Sequence, residues 1–178
     1  MLPLMMKANA PQLELVPFKR AHLIALIEEP ESFQAASGFA AADGLRDFFV
    51  SDDVDPAWLA NLKSMPDPGP WNTGFAVVDV ETQTIVGSGG FKGPPDDDGV
   101  AEIAYGIVPA FQGRGYATEV AARLTAYCLD NGVRRVRAHT LPVPNASNHI
   151  LGKCGFQFAG EIVDPQDGPV WRWERSAP

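Results

Sequence analysis

Between a short apolar run, EIAYGIV (Glu102–Val108), and a long amphipathic stretch, the chain reads PAFQGRGYAT. Gly113, Gly115 and the small Ala117 stand where a strand-like segment gives way to a helix-like one. A helix N-terminus offers unpaired N–H groups and the positive end of the helix dipole, and together these hold phosphate oxygens. Glycine at that point removes the Cβ that would keep a ligand away from the backbone. Gln112 could bond such a phosphate or brace the loop, and Arg114 could reach it or stay solvated. A glycine pair at such a junction can also be a plain turn. The run is neither GxxxxGK[ST] nor GxGxxG followed by a ribose-binding acid, which excludes a P-loop and a dinucleotide fingerprint.

A second chemical candidate lies just upstream. Glu102 is a carboxylate inside an otherwise apolar strand, a placement suited to a general base. Strand alternation puts Glu102, Ala104 and Gly106 on one face, so nothing bulky shares that face with the acid. A solvent-facing position, or an ion pair with an arginine such as Arg137, fits the same residue. Cys128 and Cys154 are far apart and in no CxxC or metal-like spacing, so they read as small buried residues. His139 and His149 are left as structural or exposed, and no metal site is expected.

The elements that must hold these residues follow from periodicity and breakers. LELVPF alternates as a strand, and KRAHLIALIEE has Leu23, Ile24 and Ile27 at helical spacing before Pro30. Residues 31–52 stay ambiguous between a helix and a loop. DPAWLANLKSM reads as a helix with Asp55 as its cap and Pro56 in its first turn. TGFAVVDVETQTIVGSGGFKG reads as two strands joined by a tight turn near Glu81–Gln83. A strand over VAEIAYGIV follows, then a helix from Gly115 to Asn131 with Ala117, Ala121, Leu124 and Cys128 as its apolar stripe. A strand over VRRVRAHTL, a short helix over NASNHILGKCG and two final strands complete a single mixed α/β domain.

With those flanks, Gln112-x-x-Gly115-x-Ala117 resembles the acetyl-CoA signature [QR]-x-x-G-x-[GA] of the GNAT N-acetyltransferases. NASNHILGKCGF is similar to the second motif of that family, near N-x-x-S-x-x-V-L-x-K-x-G-F, in the RimJ/RimL-like branch. The resemblance is carried by Glu102 to Gly160. It implies a largely antiparallel central sheet with helices on both faces, and two splayed strands that hold acetyl-CoA. The pyrophosphate would lie on the amides of Gln112, Gly113, Arg114, Gly115, Tyr116, Ala117 and Thr118. The pantetheine arm would run beside Ile107 and Val108, with the Val108 N–H polarising the thioester carbonyl. By the same resemblance Glu102 is the general base. The tyrosine that many relatives use to protonate the leaving thiolate is replaced by Leu151, and Ser147 takes that role as in the RimL-like branch. Asn145 stands one place off its usual motif position; it or Asn148 would bond the pantetheine.

Function classes narrow further on composition. A net charge of −8 over 178 residues argues against a nucleic-acid surface and favours a cationic amine as acceptor. No apolar run nears the ~18 residues of a membrane span, and the amino-terminal stretch does not read as a secretory segment, so a cytoplasmic monomer or homodimer is expected. The acceptor would be gripped by residues 31–72 and the GPPDDDG loop. There Asp96–Asp98 either attract a cation or form an exposed turn, and Phe33, Phe39, Phe48, Phe49, Trp58 and Trp71 either line a pocket or pack. A protein N-terminus, a polyamine and an aminoglycoside-like amine all fit as acceptors. A non-catalytic acyl-CoA-binding domain would keep the glycine loop and lose the chemistry.

Overall fold

The structure is a computed structural model and describes residues 11–178. The reading of the amino-terminal stretch as non-secretory falls on residues 1–10, outside the described residues. The chain runs β1 (Leu13–Pro17), α1 (Arg20–Glu28), α2 (Phe33–Ser37), β2 (Ala40–Ala41), α3 (Asp47–Val50), α4 (Trp58–Ser64), α5 (Pro70–Thr73), β3 (Phe75–Asp79) and β4 (Thr84–Phe91). There follow β5 (Val100–Ile107), α6 (Tyr116–Asp130), β6 (Arg135–Thr140), α7 (Ala146–Lys153), β7 (Gln157–Asp164) and β8 (Gly168–Ser176). The ambiguous segment 31–52 breaks into α2, the two-residue β2 and α3, too short for a periodicity signal. Asp55 does not cap α4. Its Oδ1 accepts the Ala57 N–H at 2.9 Å in the turn before the helix, which starts at Trp58.

The sheet order is β1-β3-β4-β5-β6-β8-β7, with β2 beside β4. Only β2–β4 and β5–β6 pair in parallel; the other neighbours are antiparallel. Helices cover both faces. On one, a Cβ at Gly89 would lie 2.9 Å from Val120 Cγ1 of α6, so glycine is what lets α6 settle on β4. On the other, Phe48 of α3 packs over Gly106 of β5. The α6 stripe is buried at Val120, Ala121, Leu124 and Cys128, while Ala117 is half-buried against the same core. Both cysteines are free and buried, and burial pushes the Cys128 thiol up to about 12. No helix among the described residues is long and apolar enough to cross a membrane.

One polar bond inside this core bears on the glycine loop. Tyr116, the first residue of α6, is buried and donates its hydroxyl to Asp79 Oδ1 at the end of β3, at 2.7 Å. Thr82 also donates to Asp79, through its N–H at 3.0 Å and its hydroxyl at 2.5 Å. Burial works to raise the Asp79 pKa, but the bonds from Thr82 and Tyr116 outweigh it and hold the carboxyl below its ordinary value. Burial and the Asp79 partner push Tyr116 up to about 12. Tyr116 is thus a fixed donor that pins the start of α6 to the sheet. Tyr116→Phe should destabilise the protein by about 1–3 kcal/mol. The carboxylate is depressed in the folded state, so its contribution is present above the unfolded pKa of about 4 and lost as pH falls through the folded value. Thermal melts should therefore show the full gap between the two proteins at neutral pH and a narrower gap below about pH 4. A gap independent of pH would show that Asp79 is not the partner that matters.

Candidate active site

β5 and β6 pair only over Val100–Arg135, Ala101–Val136 and Glu102–Arg137. β5 continues to Ile107 and β6 to Thr140, so the two strands part just beyond Glu102. On its other edge β5 stays paired with β4 through Ile107. There the Lys92 N–H donates to Glu102 O and the Val108 N–H donates to Val86 O at 2.9 Å. Backbone groups alternate along a strand, so Ala104 and Gly106 also face β4, while Tyr105 and Ile107 aim theirs into the opening. Val108 is therefore not the oxyanion donor that the resemblance implies, since its N–H is spent on Val86. The backbone N–H groups directed at the opening are those of Tyr105 and Ile107.

At one end of the opening lies the glycine loop. Gly113 and Gly115 have φ of 75° and 87°, left-handed values that a side chain resists, and Gly115 is the N-cap of α6. The N–H groups of Gly113, Arg114, Gly115, Tyr116, Ala117 and Thr118 take no part in the turn, loop or cap bonds of the described residues, and α6 has no earlier carbonyl to offer those of its first turn. Gln112 proves to be a brace: its Nε2 donates to Ile107 O at 2.9 Å, tying the loop to the end of β5. Arg114 is exposed, with its guanidinium 4.9 Å from the centre of the Phe111 ring. The Tyr116 side chain turns into the core, which leaves only its backbone amide for a ligand.

Glu102 sits at the point of divergence, and its surroundings are polar. Lys92 Nζ lies 3.6 Å and His139 Nδ1 lies 3.0 Å from Glu102 Oε1. The Nδ1 contact is close but off the N–H direction, so it is an electrostatic contact rather than an aligned hydrogen bond. The alternative partner Arg137 is taken by Glu174, its neighbour across β8, at 2.9 and 3.0 Å. Burial lowers the His139 pKa and Arg172 adds to that; Glu102 pulls the other way without cancelling it. His139 is thus neutral at pH 7. Its Nε2 accepts from Arg172 Nε at 3.1 Å, which puts the remaining ring proton on Nδ1, beside the carboxylate. Burial works against the Lys92 charge, but Glu102 and Asp167 hold its pKa above the ordinary lysine value. Lys92 and His139 were not among the sequence candidates. His139 shares a strand face with Arg137, but only the β5–β6 register brings it to Glu102.

Ser147 lines the same cavity of about 460 Å³ as Glu102 and His139, together with Leu151 and Thr140. The cap of α7 is Asn145, whose Oδ1 accepts the Asn148 N–H at 3.0 Å, so a capping role is removed from Ser147. Asn145 and Asn148 are committed to local structure rather than to the opening. Asn148 accepts from Thr140 Oγ1 at 2.6 Å and donates to Val143 O at 2.8 Å. Asn145 keeps only its Nδ2 for a ligand. Of the acidic loop, Asp96 forms a turn, with its Oδ1 accepting from Asp98 and Val100. Tyr105 carries a further signal that the sequence does not reveal. Its hydroxyl is buried with no hydrogen-bond partner among the described residues, and burial drives its pKa well above the ordinary tyrosine value. An orphan donor of this kind requires a partner, and a ligand in the opening would supply one.

The sequence matches the acetyltransferase (GNAT) domain family over residues 12–157. The chain belongs to that family. Its GNAT sequence is similar to the uncharacterised N-acetyltransferase YoaA of Bacillus subtilis (strain 168), with 33% identity over 83 residues, 46% of this chain and 47% of that protein. It is also similar to the uncharacterised N-acetyltransferase p20 of Bacillus licheniformis, with 29% identity over 91 residues, 51% of each. The chain spans about half the length of the curated relatives it matches. Among solved structures, a GNAT-family acetyltransferase from Bacillus anthracis gives a TM-score of 0.61 at 17% identity, over 94% of this chain and 96% of that one. A chimera of the spermidine N-acetyltransferase SpeG from Vibrio cholerae and hSSAT gives 0.64 at 16% identity, over 93% and 95%. Identities this low establish a shared GNAT fold, and likeness of fold does not single out the RimJ/RimL-like branch.

The parts of this GNAT site fit an acyl-CoA: free amides at the α6 N-terminus, an open strand edge at Tyr105 and Ile107, and an orphan hydroxyl between them and α7. The acid cluster beside it is testable without any ligand. In an NMR titration, His139 should be the Nδ1–H tautomer with a midpoint below the ordinary 6.5 or so. Glu102→Gln removes the group that raises the His139 pKa and should drive the midpoint lower. Arg172→Gln removes one that lowers it and should drive the midpoint up. Shifts of opposite sign to these would break the assigned network.

Proposed function

We propose that this chain transfers the acetyl group of acetyl-CoA to a primary amine by direct attack in a ternary complex. The observation that carries the reading is the shared cavity of Glu102 and Ser147 at the point where β5 and β6 part, with the N–H-rich loop at one end. That loop would hold the pyrophosphate through the amides of Gly113 to Thr118, with Arg114 within reach as a countercharge. The edge groups of Tyr105 and Ile107 would bond the pantetheine arm as an added strand does. When bound, acetyl-CoA supplies a thioester whose carbonyl carbon is open to an unprotonated amine.

The remaining steps belong to this chain's own groups. An amine near pH 7 is mostly ammonium and cannot attack, so Glu102 removes its proton, directly or through one water. His139 is a positioning residue that meets Oε1 from one side, while Lys92 meets it from the other. A cleft-facing N–H of β5 stabilises charge on the carbonyl oxygen. As the acetyl carbon bonds to nitrogen and the carbon–sulfur bond breaks, the Ser147 hydroxyl gives its proton to the sulfur and regains one from solvent. The RimJ/RimL-like branch remains the reading drawn from the second motif, with the protein N-terminus and the small amine both admitted as acceptors.

Acetyl-CoA at a hundredfold excess over its Kd should add about 2.7 kcal/mol of stability, or roughly 5–10 °C in melting temperature. Glu102→Gln should lower kcat/KM by about 10²–10⁴-fold and leave the acetyl-CoA shift in place. Raising pH should partly rescue that variant by supplying free amine. Ser147→Ala should lower kcat with little change in acetyl-CoA affinity. A protein that binds acetyl-CoA and acetylates no amine would be a carrier or sensor, and an absent thermal shift would remove the reading altogether.

A further inference from the structure

A second cavity, of about 650 Å³, lies between the open face of the sheet and the segment carrying α3 and α4. That volume lies within the ~300–1,000 Å³ usual for small-molecule sites. It meets the catalytic cavity at Ala104 and Tyr105, which line both. Its floor is made of small residues. Ser88 pairs with Gly106 and Gly90 with Ala104, and all four share the face on which Glu102 stands. Its walls are aromatic. Phe48 lies 3.0 Å from where a Cβ of Gly106 would be, Phe49 and Trp58 stack at 6.0 Å, and Trp71 packs on Phe91 at 4.4 Å. A flat floor under aromatic walls is a slot for a planar apolar body.

Acidic groups line that slot, from Asp53 at the junction with the catalytic cavity to Asp55 next to Trp58. Asp53 lines both cavities, and Asp52, Asp167 and Glu102 line the catalytic one. Among the described residues Lys92 is the one lysine or arginine lining either cavity, and it is already paired with Asp167 at 3.1 Å. Away from this junction the slot carries the Asp55 carboxylate, next to Trp58, and the neutral Asn61, Asn72 and Thr73. A small hydroxylated amine would leave the aromatic walls unfilled.

We infer that the acceptor is a small primary amine carried on an aromatic-sized apolar body, its ammonium at Asp53 and Glu102 and its body between the sheet floor and Phe49–Trp58. This rests on the acetyltransferase reading and names the substrate class of that site. The test compares kcat/KM, at saturating acetyl-CoA, for phenethylamine, ethanolamine, spermidine and a hexapeptide with amino-terminal phenylalanine. Phenethylamine should exceed ethanolamine and spermidine by at least about tenfold, and should exceed the peptide. Trp58→Ser should raise the KM for phenethylamine without changing that for acetyl-CoA. Asp53→Asn, on the rim and away from the core, should do the same and serves if the tryptophan variant fails to fold. Phenethylamine should also quench tryptophan fluorescence of the unmutated protein in the absence of acetyl-CoA. Equal or better turnover of ethanolamine, spermidine or the peptide, or unchanged KM values in folded variants, overturns the inference while leaving acetyl transfer intact. If acetyl-CoA does not bind, the functional reading fails, and the fluorescence titration decides by itself whether the slot takes this amine.

Discussion

The loss of pairing between β5 and β6 after Glu102–Arg137 is the constraint on which the rest of this molecule depends. A sheet ordinarily spends every backbone N–H and C=O on a neighbour, and an unpaired buried group costs free energy. Here two strands stay in one sheet at their first three pairs and then separate, while each keeps its outer partner, β4 for β5 and β8 for β6. Those outer ladders hold the strands apart. Beneath the gap, Leu151 of α7 is fully buried, and the Cys154 thiol at its C-terminal cap donates to Thr118 O in α6 at 3.6 Å, so the two helices under the opening are tied together. The opening is thus built from ordinary packing, and in the loop that turns into α6 the left-handed conformations fall on Gly113 and Gly115.

That same geometry sets the electrostatics. Glu102 is the last residue of β5 paired with β6, so its side chain stands at the apex with one neighbour from each flank: Lys92 from the β4 side and His139 from β6. β8 contributes to both halves of this arrangement. Glu174 occupies Arg137 and so keeps that guanidinium away from Glu102, and Arg172 holds the His139 ring so that its Nδ1 faces the acid.

The two cavities meet over one low stretch of the sheet. Small residues at Ser88, Gly90, Ala104 and Gly106 keep the sheet surface low where the cavities meet, and the short elements α3 and α4 bring their aromatics over it. None of this needs a long element. α3 has 4 residues and α4 has 7, lengths at which helices are held by tertiary contacts rather than by their own propensity.

By itself the sequence determined the parts that depend on local periodicity and on residue type at fixed spacing. The strand from Val100, the helix from Tyr116 with its glycine entry, the short helix over residues 146–153 and the last two strands all stand where alternation, caps and breakers place them. Glu102 and the loop amides stand out for the same reason, since their strand and helix entry are set by neighbours only a few residues away, whereas Ser147 stands out only through the resemblance of its motif. Only the tertiary structure decided what each of them meets. Register with β4 spends the Val108 N–H on Val86 and leaves the N–H groups of Tyr105 and Ile107 facing the opening. The capping bond of Asn145 occupies its Oδ1, and pairing with Glu174 removes Arg137. His139 and Lys92 reach Glu102 from 37 residues after it and 10 before it in a chain whose order does not encode that meeting. Pairing partners and side-chain neighbours come from strand register across long sequence separations. A one-residue slip in that register would turn every side chain of the strand to the other face, so no local pattern can fix them.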